Sequence, residues 1–560
     1  MKSKRVLSIF ALLLAVALLV TACSPSEPPP TPTSPPAAVT AATTAPTTES
    51  PPTDTPVPAT DTRGTYRYAA YWPFEHGNPI VTGSQLLEYM FDPLYRLDAE
   101  GNPVPRLAES WDISPDGKTY TFYLREDVKW HDGEPFTAAD VTFTVAAILD
   151  PDTETGLRDN LQVAGENVTC EAVDDYTVKF TLPEPYAPFI YKIPAIQIVP
   201  KHLLENEPDI NTAAFNQNPV GTGPFMWKEL VPGDHMTFVA NDDFYLGKPG
   251  CKAVIVRLIP DSAAAVAALK AGEIDVVESE EPTDHAWAAE NDYKAYWSLP
   301  GGIMYLWLNP AKVPAFGDVK VRQAMSYALD RDALTKVYDG SEPAYNIISP
   351  YGVTSRFYNQ DVTKYTYDPD MARELLEEAG WTDTDGDGFV DKNGQNLSFT
   401  MIGQTGWKTA QDMLTVTQAW YKDVGIDMQI QLLESSAFRE ARGNPEVVEA
   451  SFTGTPSPLD PDDLRVVYHS QGGRNLFGYV NERVDELFAQ GVVESDLEKR
   501  KAIYAEIQKL TLDDMPYIPT VFYSVGLLVN PHLKGLPDDM RGVDSTSYQA
   551  LFSEKLEITE

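Results

Sequence analysis

The sequence has 560 residues, 43% hydrophobic and 11% aromatic, and a formal net charge of −39. That is enough apolar material for two or three packed lobes and too much chain for one core. So acidic a surface repels nucleic acid and anionic headgroups, which argues against either as a direct partner.

Lys2, Lys4 and Arg5 precede a mostly apolar run from Val6 to Val20. A basic start and a run of this size predict a signal peptide over 1–22, because a spanning helix needs about 20 apolar residues. Leu19-Val20-Thr21-Ala22-Cys23 resembles a bacterial lipobox, so cleavage before Cys23 and lipidation of its thiol are expected. The alternative is an ordinary signal peptide with an incidental Cys. Behind it, 27 of the 40 residues 24–63 are Pro, Thr or Ser, too little apolar surface to offset the entropy of ordering. Residues 23–63 therefore read as a lipidated Cys and a disordered linker. The body is expected outside the cytoplasm, at the cell surface or in a periplasm, touching the membrane through the lipid alone. Cys170 and Cys251 are the other two cysteines; their separation leaves pairing open and offers no metal-ligand spacing.

Along the body, Thr119–Arg125 and Tyr176–Leu182 alternate in polarity and read as strands. Between them Thr137-Ala138-Ala139-Asp140 is a capping-box start for a helix carrying Val141, Val145 and Ile148. Ser114–Lys118 supplies Pro, Asp and Gly for a hairpin turn. Lys252–Ile259, Ala263–Lys270 and Ile274–Val277 follow a strand-helix-strand rhythm, as in a sheet covered by helices. Val321–Val337 reads as one helix. Asp368-Pro369 starts another that stops at Gly380. Ala410–Val424 is a third, followed by Gly425 and the strand Ile426–Leu432, and Asn481 caps a fourth. The expected class is mixed α/β.

The histidines, at 76, 131, 202, 235, 285, 469 and 532, are scattered, and no H-E-x-x-H, G-x-S-x-G or Walker loop occurs, so the chain is not read as an enzyme. An anchored hydrolase is the weaker alternative. Asp383, Asp385, Asp387, Phe389 and Asp391 occupy positions 1, 3, 5, 7 and 9 of an EF-hand-like loop with Gly388 at position 6, so carboxylates and the Phe389 carbonyl are candidate ligands of a structural Ca²⁺. Position 12 is Gly394 in place of the bidentate Glu, and a plain acidic turn is the competing reading. No cofactor is required.

A series of short motifs then becomes specific. Phe91–Leu94, Leu107–Trp111, Ser114–Phe122, Val128–Gly133 and Thr137–Val141 come first. Gly221–Phe225, Leu269–Asp275, Val321–Arg331, Gly478–Asn481 and Asp514–Pro519 follow in order. Together they closely resemble the peptide/nickel family of extracytoplasmic solute-binding proteins that serve ABC importers. The resemblance implies a periplasmic-binding-protein type II fold, with two main lobes on a hinge and an inserted third. Lobe one would comprise 64–95, 191–300 and 516–560, lobe two 96–190, and lobe three 301–515. It also implies a monomer that encloses a small-molecule or oligopeptide ligand between lobes one and three. The ligand would then pass to the transmembrane subunits of an ABC permease.

Candidate ligand residues are Tyr71 and Trp72 after the first strand, Trp407 after the turn Gly403–Gly406, and Thr453, Gly454, Ser457 and Asp460 in the loop following Val447–Phe452. The last loop departs from the family. Peptide-binding members resemble Trp-x-x-Asp-Tyr-x-Asp-Pro there, with the first Asp meeting the ligand's α-ammonium. Here that place falls on or near Ser457, so either Asp460 or another acid substitutes, or the cargo is not a free-amine peptide. An oligosaccharide on the same scaffold is one alternative. A surface sensory or adhesive protein needing no permease is another.

Overall fold

The computed structural model describes residues 63–536, apart from 72–73, 75, 83–84, 99–101, 280, 298–301, 339–340, 345–355, 443, 457–459 and 524–525, together with the short strand Glu557–Ile558. Residues 1–22, Cys23 and the linker up to Thr62 lie outside the described residues. Among the described residues no helix is long and apolar enough to cross a membrane.

Thr65–Ala70 buries Tyr66, Tyr68 and Ala70 and becomes a central strand of a seven-stranded sheet. It is flanked in parallel by Ala253–Leu258 and Val276–Glu278, joined across it by the helix Ser262–Lys270, which is the expected strand-helix-strand unit. Asp261 caps that helix by accepting from the Ala264 N–H at 2.8 Å. Phe225–Val231 and His235–Ala240 extend the sheet on one side, Gly526–Val529 and Lys294–Trp297 on the other. A four-stranded sheet, Ala108–Ile113, Thr119–Leu124, Thr177–Thr181 and Thr169–Asp174, holds the early alternating segments, and Thr137 caps Ala138–Leu149 in the expected capping box.

A separate six-stranded sheet runs in the order Glu342–Pro343, Tyr517–Tyr523, Gly302–Leu308, Ala450–Pro456, Ser398–Gln404 and Asp427–Leu433. Tyr517–Tyr523 pairs along the length of Gly302–Leu308, so the chain returns to the seven-stranded sheet after 523, and the boundary expected at 516 is corrected. The apolar residues divide the same way. Two buried clusters draw only on residues before 298 or after 526, and the other two only on residues 303–523. Two short chain crossings join the sheets, between Trp297 and Gly302 and between Tyr523 and Gly526.

Asp368 caps Pro369–Glu378, and Asn481 caps Glu482–Val493 by accepting from the Arg483 and Val484 N–H groups. The single helix expected over Val321–Val337 is instead two, Val319–Tyr327 and Arg331–Val337. Asp330 starts the second by accepting from the Ala333 N–H at 2.9 Å, and the buried Arg331 guanidinium is used up on the carbonyls of Ser326, Ala344, Tyr365 and Pro519. Leu497–Asp514, the longest helix among the described residues, has no counterpart in the sequence reading, because its buried face includes Arg500, Gln508 and Thr511 and so lacks apolar periodicity. Cys170 and Cys251 are not joined in a disulfide.

Two of the motifs meet. Gly221 donates to His131 Nδ1 at 3.2 Å, and His131 Nε2 lies 2.9 Å from the Gly223 carbonyl. A Cβ on Gly221 would come within 2.0 Å of the Met90 carbonyl oxygen, so only glycine lets this loop lie against that backbone. Burial lowers the His131 pKa to about 4, against the opposing pull of the Gly223 carbonyl and of Asp92. These motif residues hold the fold.

Candidate functional site

The aromatic candidates stand at the ends of a strand and a helix in the two sheet systems. On the seven-stranded side Tyr71 follows Thr65–Ala70 and its hydroxyl donates to the Glu278 carbonyl at 2.6 Å. Its ring is half-buried against the cluster formed by Ala69, Val266, Leu269 and Leu528. Trp72, the neighbouring candidate, lies outside the described residues.

Across from it, Trp407 stands at the start of Lys408–Asp423, half-buried against the core of the six-stranded sheet. Its neighbour Lys408 pairs with Asp412 and lies within electrostatic reach of Glu281, three residues beyond the Tyr71 contact. Tyr71 and Trp407 are thus carried by segments that approach one another from the two sides.

The expected loop after Val447–Phe452 is corrected. The strand continues from Ala450 to Pro456, so Thr453 and Gly454 are strand residues opposite Tyr305 and Met304. Continued pairing with Gly302–Leu308 overrides the Gly and Pro that suggest a loop. Thr453 is buried, and its hydroxyl accepts from Arg442 Nη1 at 2.8 Å. Ser457 lies outside the described residues.

Asp460 cannot serve as a free acid for a ligand ammonium. It is fully buried and held by both Nη atoms of Arg500, with Nη2 at 2.6 Å from Oδ1, while Arg500 Nε donates to the Gly491 carbonyl. Asp460 also accepts from the Asp462 N–H and caps the turn Pro461–Leu464. Its charge is spent inside the lobe.

Three groups escape the sequence reading. Arg442 ends the helix Ser435–Arg442 and spreads over Phe438, with its ring centroid 5.9 Å away. Arg442 and Arg474 both act on the Tyr305 hydroxyl, whose pKa is raised by burial and lowered in part by these two cations. Among the described residues neither arginine has a carboxylate partner, unusual in a chain this acidic. Tyr305, Thr453, Arg442 and Arg474 make a cationic, hydroxyl-bearing patch on one side of the six-stranded sheet, suited to a carboxylate or another anion. The available signal was two arginines flanking a β-strand in an acidic chain. Their convergence depended on pairing that spacing does not encode.

The acidic loop keeps part of its expected geometry. Carboxylate oxygens of Asp383, Asp385 and Asp391 lie within 4.8 Å of one another. Asp383 accepts from the N–H groups of Gly386 and Gly388, and Asp391 accepts from the Thr384 N–H and hydroxyl. Asp387 does not join them: its Oδ2 accepts from the Asn396 amide at 2.8 Å, and its Oδ1 from the Phe389 N–H. A helix precedes the loop and the two-stranded hairpin Asp391–Lys392/Gln395–Asn396 follows it.

Residues 102–475 match the family model described as bacterial extracellular solute-binding proteins, family 5 middle. The chain is 33% identical over 498 residues to the oligopeptide-binding protein AppA of Bacillus subtilis, covering 84% of this chain and 89% of that protein. It is 29% identical over 490 residues to the nickel-binding periplasmic protein of Escherichia coli, covering 83% and 91%. Among solved structures it is similar to the ABC transporter substrate binding protein CtaP of Listeria monocytogenes, with a TM-score of 0.79, 28% identity, and 89% and 100% of the two chains covered.

Proposed function

This chain belongs to family 5 of the bacterial extracellular solute-binding proteins, and on that premise we propose that it captures a peptide-like solute between its lobes and delivers it to an ABC permease. Its fold is that of type II periplasmic binding proteins, and its body works outside the cytoplasm. The observation that carries the reading is the division of the core. Among the described residues no buried apolar cluster spans the two sheet systems, whose chain connections are two short crossings. An interface without a shared core leaves the lobes free to close on a ligand and reopen.

A peptide supplies a terminal carboxylate for Arg442 and Arg474 and apolar side chains for Trp407 and Tyr71. With Asp460 engaged by Arg500, a free α-amine finds no partner at that acid, so the reading favours recognition of the carboxylate over that of the amine. The engagement of Asp460 is also what favours the second reading, an oligosaccharide held by aromatic faces and neutral hydroxyls. A thermal-shift screen with peptides, C-terminally amidated peptides, oligosaccharides and Ni²⁺ separates them. The peptide reading expects stabilisation by free-acid peptides that is weakened by amidation; stabilisation by oligosaccharides alone would overturn it.

The anchor is part of the same proposal. A diacylglyceryl Cys23 behind a Pro/Thr/Ser linker raises the concentration of the receptor beside its permease. Cys23→Ala moves the protein from the membrane fraction to the soluble one on this account, and unchanged fractionation would refute it. The protein acts as a monomer and does not turn its ligand over; recovery of intact peptide after prolonged incubation tests the second point. Asp383, Asp385 and Asp391 are proposed to hold a structural Ca²⁺, with the Phe389 carbonyl as a further ligand.

A further inference from the structure

Away from the two crossings, the lobes touch through the segment that leaves the inserted four-stranded sheet. Ala187 N–H donates to the Val492 carbonyl at 2.8 Å, and Lys192 Nζ donates to Asp463 Oδ1 at 2.6 Å. Tyr186 and Tyr191 belong to the same segment. Burial comes first in raising the Tyr186 pKa, followed by Asp462, Asp463 and Asp460 in that order, so it lies within electrostatic reach of this acidic turn. Tyr191 is half-buried and lies within reach of Arg356, Asp460 and Arg500.

The three acids of the turn are not equivalent. Asp460 holds Arg500 and Asp463 holds Lys192. Asp462 is 7% exposed, accepts from the Tyr504 hydroxyl at 3.1 Å, and is approached by Arg465 only to 3.9 Å. The groups facing it are therefore Asp460, Asp463 and Arg465 on its own turn and the following helix, Arg500 and Tyr504 on Leu497–Asp514, and Tyr186 on the opposing segment. Arg500 and Lys192 are committed to Asp460 and Asp463, and Arg465 stands 3.9 Å off, so Asp462 is a carboxylate covered at a lobe contact without a close counter-charge.

We propose that the contact between Tyr186–Lys192 and Asp460–Arg465 is an interlobe latch whose closing takes up one proton at Asp462, so that acidification favours the closed receptor. The proposal rests on the hinge motion of the functional reading and adds to it a control that no ligand supplies. Burial raises the Asp462 pKa from 3.8 to about 6 in the closed contact, with Arg465 opposing and Asp460 reinforcing the shift. When the lobes part, Tyr186 leaves and the group relaxes toward its ordinary value. Closing then gains as pH falls from above 6 toward 3.8, and that gain is absent above 6. Between pH 7.5 and 5.0 the closed-to-open ratio rises about tenfold by this linkage.

Single-molecule energy transfer on the full chain tests this without any ligand, with dyes at Val173 on the inserted sheet and Val480 beyond the six-stranded sheet, both well exposed. Wild type is expected to raise its closed-to-open ratio about tenfold from pH 7.5 to 5.0. Asp462→Asn should hold that ratio constant across the range. Lys192→Met should lower it at every pH while keeping the wild-type slope. Equal slopes in wild type and Asp462→Asn, or no slope in wild type, overturn the latch while two populations remain visible. A single fixed distance in all three proteins at every pH overturns the latch and the hinge reading together.

Discussion

Protonation of His131 should destabilise the protein in a defined window. The ring accepts from the Gly221 N–H at Nδ1 and faces the Gly223 carbonyl with Nε2, which suits the neutral Nε2–H tautomer. A second proton at Nδ1 would set two donors against each other inside the core. The folded pKa is about 4, depressed from 6.5 chiefly by burial, so the unfolded chain binds more protons between these values. Stability from this group is complete above pH 6.5 and is lost as pH falls through 4. Integrating from pH 7.5 to 4.5 gives a loss of about 2.5 kcal/mol, large against the usual net stability of a domain. Urea unfolding of wild type and His131→Gln at several pH values isolates the effect. The stability difference, wild type minus variant, should fall by about 2.5 kcal/mol across that range. A difference that stays flat would refute the reasoning.

Other expectations follow from single contacts. Asp460→Ala strands the buried Arg500 and should cost about 3–5 kcal/mol in denaturant unfolding, whereas breaking an exposed surface ion pair such as Arg483–Glu506 should leave the unfolding midpoint essentially unchanged. Gly221→Ala drives a methyl into the Met90 carbonyl and should lower the melting temperature by several degrees, for a loss of roughly 1–3 kcal/mol. Titration calorimetry with Ca²⁺ should give a binding isotherm for wild type that Asp385→Ala abolishes; identical traces would remove the site. Arg442→Met should weaken a free-acid peptide by at least about tenfold while leaving its amidated form unaffected.

Much of the frame could be read from local chemistry. Thr137, Asp368 and Asn481 mark helix starts because a side-chain oxygen before an apolar run satisfies the first free N–H groups, and each one does so in the fold. What escaped reading depends on partners distant in sequence. The helix Leu497–Asp514 hides Arg500 because Asp460, forty residues away, neutralises it. Asp330 interrupts what periodicity suggests is one helix because the next residue, Arg331, is claimed by carbonyls from three other segments. In the site, Thr453 and Gly454 resemble a loop until Gly302–Leu308 pairs with them, and Arg442 becomes a candidate anion ligand only after that pairing sets Thr453 beside it. The acidic loop was legible in its Asx contacts at Asp383, while the turning of Asp387 onto Asn396 was not, since the hairpin that presents Asn396 forms later in the chain.

Capture of a peptide-like solute takes place, on this reading, between two lobes that share no core. Calorimetric titration of the purified protein with a defined mixture of free-acid peptides, repeated with their C-terminal amides, addresses it most directly. Saturable binding of the acids at one site per chain, strongly weakened by amidation, is expected. Absence of heat with every peptide, alongside saturable binding of an oligosaccharide, would contradict it.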